Sequence, residues 1–325
     1  MSTVTPVDIP VDIATKAQFG SGERAAAITA TKRAKRRLTS RGATIAALVI
    51  AILWTTPTFG LFISSVRPAK EILRNGWWTI FQNPGFTLDN YTQVLNAGNS
   101  QLNLGGSFIN SIAITLPATI FPLVIASLAA YGFAWIDFKG KNWMFIGVFA
   151  LQIVPLQMAL VPLLSLFSRG LKIGDLQLFG GLNASGSYSQ VWIAHTIFAL
   201  PLAIFLLHNF ISEIPSELIE AARVDGAGHG QIFFRIVLPL TMPAIASFAI
   251  FQFLWVWNDL LVALVFADGG VAPMTKLLAE ITGSRGQDWN LLTAGAFISI
   301  LVPLIVFFSL QRFFVRGLLA GSTKG

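Results

Sequence analysis

Six long apolar segments constrain this sequence more than any other feature. Each holds about 20 or more predominantly apolar residues, the length that an α-helix needs to cross a bilayer. The segments cover residues 43–66, 109–135, 143–167, 188–211, 243–267 and 290–314. Only 11% of the 325 residues are charged, against about 25% in an average soluble domain. Because a spanning segment must satisfy its backbone polar groups internally, we expect an all-α polytopic membrane protein with six transmembrane helices.

The first 42 residues differ from the rest in composition. They are polar, rich in alanine and threonine, and lack the apolar stretch of a signal peptide. Residues 1–42 are therefore predicted to be a disordered, basic cytoplasmic tail. Their cations lie mostly just before the first apolar segment, at Lys32, Arg33, Lys35, Arg36, Arg37 and Arg41. This placement explains the net charge of +7 by membrane topology, without a nucleic-acid partner.

The flanks of the six segments predict the orientation of the chain. With the N-terminus in the cytoplasm, 15 of the 22 lysines and arginines lie on the cytoplasmic side and seven on the other. The excess comes entirely from the N-terminal tail. Because cytoplasmic flanks carry an excess of cations, both termini are predicted to be cytoplasmic. The segments 67–106, 168–187 and 268–289 then become extracytoplasmic loops, and residues 315–325 a cytoplasmic C-terminal tail.

The sequence carries no recognisable chemistry of its own. It has no cysteine, and its three histidines (His195, His208 and His229) do not form a metalloprotease motif or stand near carboxylates at ligand spacing. The dipeptide Gly140-Lys141 is not followed by serine or threonine, so it does not form a phosphate-binding loop. We therefore predict no catalytic residue, no metal and no cofactor in this chain. ATP, if it drives the protein, must be hydrolysed by another subunit.

Several prolines lie within the predicted spans. Each removes a backbone donor, which membrane helices tolerate where a neighbouring helix or a water-filled cavity satisfies the freed carbonyl. Better packing alone is the alternative explanation. These prolines are Pro117, Pro122, Pro155, Pro162, Pro201 and Pro303.

Asp259 is the single acidic residue within a predicted span. A carboxylate at the centre of a spanning helix costs about 2.5–3.5 kcal/mol on insertion scales, so it usually faces a cavity or a partner. Asp259 and the preceding Trp257 and Asn258 are candidate pathway residues. The alternatives are a structural contact with another subunit and a misplaced helix boundary. A channel or proton-coupled carrier that uses Asp259 directly is the competing class of function.

Residues 213–240 are the most polar stretch between two spans. Pro215 suits the first turn of a helix, where its missing N–H is harmless. Glu217 and Glu220 complement the positive end of the helix dipole. Gly226 and its small neighbours allow a sharp turn at the end of this helix.

A second short helix is expected over residues 229–237, ended by Pro239. Its apolar face comprises Ile232, Phe233, Ile236 and Val237. An ordinary solvated connector is the alternative, although it needs neither two helices nor a glycine turn. Two helices joined by a tight turn suit docking into a groove of a partner protein.

The same stretch carries a specific motif: E-A-A, three residues, G, nine residues, I-x-L-P. Its members are Glu220, Ala221, Ala222, Gly226, Ile236, Leu238 and Pro239. This pattern resembles the cytoplasmic loop of the permease subunits of binding-protein-dependent ABC importers. Residues 43–325 resemble the MalG-like branch of carbohydrate permeases, through "NSIAITLPATIFPLVIASLAAYGFAW", "WND" and "QRFFVRGLLAGSTKG".

The resemblance implies a type I ABC importer permease fold in a bacterial inner membrane. It also implies three partners: a MalF-like permease, an ATPase dimer that binds ATP and Mg, and an extracytoplasmic sugar-binding protein reached through the 268–289 loop. The implied ATPase contacts in the loop are Glu220, Ala221, Ala222, Asp225, Gly226, Ile236, Leu238 and Pro239. A second implied contact is the tail, Gly321, Ser322, Thr323, Lys324 and Gly325.

The resemblance also suggests a substrate. Maltose or another α-glucoside is the expected cargo of this chain. Trehalose, glucosylglycerol or another polyol is the alternative, followed by a phosphate ester.

Overall fold

A computed structural model describes residues 41–98, 103–174, 176–181, 186–282 and 288–322 of the chain. For residues 173, 179, 282 and 310–322 it describes the backbone alone. The predicted N-terminal tail thus lies outside the described residues except for its last two, which begin the first helix. The chain divides into two compact units, residues 1–60 and 61–325.

The described part of the chain is mostly helical. The helices are α1 (Arg41–Ser65), α2 (Ala69–Arg74), α3 (Asp89–Asn96), α4 (Leu104–Trp135), α5 (Lys141–Ala150), α6 (Leu156–Arg169), α7 (Tyr188–Ser212), α8 (Ser216–Val224), α9 (His229–Trp257), α10 (Leu261–Phe266), α11 (Met274–Thr282) and α12 (Trp289–Ser322). Short 3₁₀ turns cover Trp77–Phe81, Leu151–Ile153 and Gly269–Val271. The strands β1 (Leu171–Ile173) and β2 (Leu176–Phe179) form an antiparallel hairpin in the 168–187 loop.

Five described helices are each long and apolar enough to cross a membrane: α1, α4, α7, α9 and the Trp289–Ser309 part of α12. The sixth crossing, expected as one helix over 143–167, is broken. Residues Lys141–Ile153 and Leu156–Arg169 are bent by 106° relative to each other. Pro155 explains the break, because the residue before a proline avoids the helical region, and Val154 is extended (φ −68°, ψ 118°).

The core of the second unit lies between α4, α7 and α9. Ala126 and Ala130 lie one turn apart on α4, and Ala203, Leu207 and Ile211 repeat at the same spacing on α7. All five are fully or almost fully buried in one cluster. Small residues at such an interface let two helix backbones approach closely, which is how membrane helices associate when lipid is as apolar as the core.

The other face of α4 exposes large apolar side chains. Ile109, Leu116, Ile120, Val124 and Leu128 are each about half exposed or more. This surface would be costly in water but is normal against lipid, which supports a multi-pass membrane protein.

Side chains of neighbouring helices satisfy the carbonyls that three of the span prolines free. Pro122 removes the donor to the Ala118 carbonyl, and Gln252 Nε2 of α9 donates to that carbonyl instead (3.2 Å). Pro117 likewise frees the Ala113 carbonyl, which accepts a hydrogen bond from Trp192 Nε1 of α7 (2.9 Å). The expectation that neighbouring helices satisfy such carbonyls is confirmed at these positions.

The third case involves a residue that was predicted to line the pathway. Pro303 of α12 frees the carbonyl of Ser299, and the indole Nε1 of Trp257 donates to it at 3.0 Å. Trp257 is only 3% exposed, so its side chain packs between helices.

The fifth span differs from its expected bounds of 243–267. α9 starts at His229, runs through Pro239 without a break and ends at Trp257. A π-turn over Phe233–Val237 makes this possible, with the Leu238 N–H donating to the Phe233 carbonyl five residues earlier. The wider turn moves the backbone away from the proline ring, so Pro239 does not redirect the chain as expected.

The 67–106 loop also contains more structure than expected. Arg67 is fully buried and donates to the Gly76 carbonyl (3.1 Å) and to Thr79 Oγ1 (2.9 Å). Asn90 Nδ2 donates to the Arg67 carbonyl (2.7 Å), and Asn90 Oδ1 accepts from Asn290 Nδ2 of α12 (3.2 Å). The segment between α1 and α4 is therefore attached to the start of α12.

Candidate functional site

The 213–240 loop begins as the sequence predicts, with a short helix and a glycine turn. α8 starts after Pro215 and carries Glu217 in its first turn. At its end Gly226 is left-handed (φ 82°), its N–H donates to the Arg223 carbonyl (3.0 Å) and the Ala227 N–H donates to the Ala222 carbonyl (2.9 Å). These two bonds form a Schellman motif, which ends the helix and defines the direction in which the chain leaves it.

The start of α9 follows directly. The Gly228 N–H donates to Gln231 Oε1 (3.1 Å), which caps the first turn. Because α9 is continuous, the second helix of the 213–240 loop is the first part of a membrane-spanning helix. A movement of this loop must therefore move α9.

The loop is seated on the bundle by apolar contacts. Ile219 of α8 and Ile232, Phe233 and Val237 of α9 are buried in one cluster with residues of α4 and α7. The expected apolar face of the second helix is thus confirmed. Two polar contacts to the end of α4 add to this packing and are described below.

The outer surface of the loop combines apolar and acidic groups. Val224 is 87% exposed and Leu218 47% exposed, and Glu217, Glu220 and Asp225 are exposed beside them. Carboxylates exclude this surface from the hydrocarbon of a bilayer. Exposed aliphatic side chains with a polar rim are typical of a protein docking surface.

The predicted ATPase contacts fall into two groups. Five are exposed: Glu220, Ala221, Asp225, Gly226 and Pro239. Three are half-buried and pack against the buried cluster: Ala222, Ile236 and Leu238. The first four exposed residues lie together at the end of α8 and in its turn, while Pro239 lies on α9.

The predicted tail contact is only partly described. α12 continues through the expected tail boundary at residue 315 and ends at Ser322, so Gly321 and Ser322 are helical. Thr323, Lys324 and Gly325 lie outside the described residues.

Asp259 lies in the break between α9 and α10, not within a helix as its predicted span required. Its Oδ2 accepts a hydrogen bond from the Ala263 N–H (3.1 Å) and so caps the start of α10. Asn258 is exposed, and its Nδ2 donates to the Leu254 carbonyl (2.8 Å). The break explains why a carboxylate is tolerated here, because the N-terminal turn of α10 has free backbone N–H groups that can donate to it.

His195 is the residue that the sequence analysis missed. Its Nε2 lies 3.9 Å from Asp259 Oδ2, and both side chains are almost fully buried. They line a narrow, almost filled cavity together with Ser111 and Thr115 of α4. His195 and Asp259 are far apart in the sequence, so only the fold brings them together. The one available signal was a polar residue within an apolar segment.

The 268–289 loop is held to the bundle over its described part. Asn110 Nδ2 of α4 donates to the carbonyls of Gly270 (2.8 Å) and Ala272 (3.1 Å). Lys276 Nζ donates to the Ala267 carbonyl (2.9 Å). The "DGG" end at 268–270 is thus held by α4, while the "GSRG" end at 283–286 lies outside the described residues.

Comparisons with known proteins agree with this architecture. The family described as "Binding-protein-dependent transport system inner membrane component" matches residues 123–319. The osmoprotective compounds uptake permease protein GgtD of Synechocystis sp. is 53% identical over 286 residues, which cover 86% of this chain and 91% of that protein. The alpha-glucoside transport system permease protein AglG of Rhizobium meliloti is 51% identical over 251 residues, which cover 77% of this chain and 63% of that protein.

A solved structure shows the same fold at low sequence identity. A chain of a bacterial alginate ABC transporter, solved with its alginate pentasaccharide-bound periplasmic protein, superposes with a TM-score of 0.61 at 15% identity. The match covers 86% of this chain and 96% of that chain. The expected ABC importer permease fold is confirmed. The chain belongs to the family of inner membrane components of binding-protein-dependent transport systems.

Proposed function

We propose that this chain is one permease subunit of an ATP-driven ABC sugar importer and that its cargo is an α-glucoside of the maltose type. The observation that carries the proposal is the 213–240 loop, which is packed against the bundle and exposes a docking surface. The sequence has no phosphate-binding loop at its Gly-Lys dipeptide, so in this proposal a separate subunit hydrolyses ATP.

In this proposal two ATPase subunits bind ATP and Mg and dock against the loop. The proposed contacts on α8 and its turn are Glu220, Ala221, Ala222, Asp225 and Gly226. Ile236 and Leu238 support the loop from α9, which fits their packing against the buried cluster, and Pro239 adds an exposed contact on the same helix. When the ATPase subunits close on ATP, the loop moves and tilts the helices attached to it.

The loop end of the bundle is proposed to face the cytoplasm, as the positive-inside count suggests. The opposite end then faces a sugar-binding protein, with the 268–289 loop as the proposed contact. A second, MalF-like permease completes the pathway. Trp257, Asn258 and Asp259 lie at this outer end, where Asp259 faces His195 in the narrow cavity.

A second candidate cargo has a specific observation in its favour. The relative at 53% identity is named for uptake of osmoprotective compounds, whereas the relative at 51% identity is named for α-glucosides. Trehalose and glucosylglycerol, both small polyhydroxylated solutes, represent this second class.

The test is a purified complex of both permeases, the ATPase and the binding protein in proteoliposomes. We expect maltose-type α-glucosides to stimulate ATP hydrolysis more than trehalose, glucosylglycerol or a phosphate ester does. Stronger stimulation by trehalose or glucosylglycerol would select the second cargo. A chain that purifies without an ATPase and transports sugar alone would reject the importer proposal in favour of a secondary carrier.

The tail gives a second prediction. Deleting residues 321–325 should reduce the amount of ATPase that copurifies with the permeases, because the tail is proposed to be a second ATPase contact. Deletion of residues 1–5 is the matched control and should leave copurification unchanged. Equal ATPase content and equal ATP hydrolysis in both deletions would contradict the proposed contact.

A further inference from the structure

We propose that Tyr131 is a positioning residue for coupling: together with Arg223 and His229 it fixes both arms of the 213–240 loop to the end of α4, so that displacement of the loop is transmitted along α4. This inference rests on the proposed function, because it concerns how the force from an ATPase is passed on. It assigns a role to three residues outside the E-A-A motif.

Tyr131 forms the contact on the α9 side of the loop. Its side chain is 5% exposed, and a hydrogen bond joins its hydroxyl to His229 Nδ1 at 2.9 Å. Its ring also packs edge-on against His229 (6.0 Å between centroids) and Phe233 (5.4 Å). Removing the hydroxyl alone would therefore take away the polar contact and leave the aromatic packing in place.

Arg223 forms the contact on the α8 side. Its Nη2 donates to the carbonyl of Trp135 (3.2 Å), the last residue of α4. Carbonyls in the last turn of a helix have no intrahelical donor, so the Arg223 guanidinium satisfies a carbonyl that would otherwise lack a hydrogen bond within α4. Tyr131 and Trp135 lie one helical turn apart, and the two contacts lie on either side of Gly226. The glycine turn is thus held from both arms to one face of α4.

The N-terminal end of α4 contacts a different part of the chain, the 268–282 segment. α4 has 32 residues, about 48 Å at 1.5 Å per residue. At its N-terminal end Asn110 holds Gly270 and Ala272, and Ser111 Oγ accepts from the Met274 N–H (2.8 Å). One helix therefore contacts the 213–240 loop at one end and the 268–282 segment at the other.

The central experiment compares Tyr131→Phe with Tyr91→Phe in the reconstituted importer. Tyr91 is a matched control, because its hydroxyl also makes a side-chain hydrogen bond, to Ser65 Oγ (2.6 Å), in the segment between α1 and α4. We expect Tyr131→Phe to retain bound ATPase and ATP hydrolysis but to lower sugar uptake per ATP by about fivefold, the factor that corresponds to one neutral hydrogen bond. Tyr91→Phe should keep the wild-type ratio.

His229 provides the rescue variant. His229→Ala should reproduce the loss, whereas His229→Asn places an amide near the position of Nδ1 and should restore most of the ratio. The double variant Tyr131→Phe, His229→Ala should be no worse than His229→Ala alone, because that substitution already removes the hydrogen bond to Tyr131. Unchanged uptake per ATP in Tyr131→Phe, an equal loss in Tyr91→Phe, or additive losses in the double variant would overturn the inference.

A second readout separates this inference from the proposed function. The chain contains no cysteine, so Gly230→Cys on the α9 arm of the loop supplies a single, exposed site for a spin label outside the docking surface around Val224. Tyr131→Phe should increase the mobility of this label in the assembled complex, and Tyr91→Phe should not. Equal mobility in both variants would reject the positioning role even if the complex transported no sugar. Absence of sugar-stimulated ATP hydrolysis in the wild type would instead reject the proposed function.

Discussion

Replacing Gly226 with valine should reduce sugar uptake by roughly ten- to a hundred-fold and weaken attachment of the ATPase, while membrane insertion is unchanged. The cause is backbone conformation, since a non-glycine residue held at a sparsely populated φ costs about 1–3 kcal/mol, and β-branching raises the cost. Gly226 has φ 82°, and a Cβ built on it meets no atom within 4 Å. Space is therefore available, and the strain arises from φ alone. We expect the Schellman motif to open and α8 to leave its docking direction.

Two variants distinguish this cause from a general sensitivity of the turn. Gly226→Asn should retain most of the uptake, because asparagine tolerates the left-handed region. Gly228→Ala should behave as wild type, because Gly228 has φ −76° and its Cβ would also meet no atom within 4 Å. Measured uptake and copurified ATPase decide the outcome. Wild-type uptake in Gly226→Val would show that the angle of the turn is not needed for coupling.

The sequence predicts the features of this protein that depend on local physics. The apolar lengths predict five of the six expected crossings as single helices, while the sixth segment is broken at Pro155. Gly226 marks a turn because few other residues adopt φ 82° there. The burial of Ile232, Phe233 and Val237 follows from their spacing on one helix face. The motif around Glu220 identifies the loop even without a structure.

The sequence fails where a tertiary contact overrides a local rule. Pro239 normally ends a helix, yet the π-turn before it keeps α9 continuous. Asp259 lies in an apolar segment, but its ability to cap α10 ends the long helix at Trp257 instead of ten residues later. The proximity of His195 to Asp259 depends on how α7 packs against the α9–α10 break, which no local pattern encodes.

The prolines in the spans are partly predictable from the sequence and partly dependent on tertiary contacts. Their sequence positions predict which carbonyls lose a donor, since the affected carbonyl lies four residues earlier. They cannot predict which neighbouring side chain replaces that donor. The structure identifies Trp192, Gln252 and Trp257 in these roles. Trp257 was predicted to line the pathway, and its hydrogen bond to Ser299 gives it a packing role as well.

Gln252→Leu tests this account, and its effect should depend on Pro122. Leucine has a similar volume but no donor, so the buried Ala118 carbonyl should be left unsatisfied, at a cost of about 1–3 kcal/mol in the free energy of unfolding. In a Pro122→Ala background the residue at position 122 regains an N–H, which restores the intrahelical bond to that carbonyl. We therefore expect Gln252→Leu to cost much less in that background. The thermal unfolding midpoint of the purified complex, measured for both single variants and the double variant, gives the coupling between the two sites. If the loss is equally large with alanine at 122, Gln252 stabilises the helices through packing, and the freed carbonyl does not explain its position between α4 and α9.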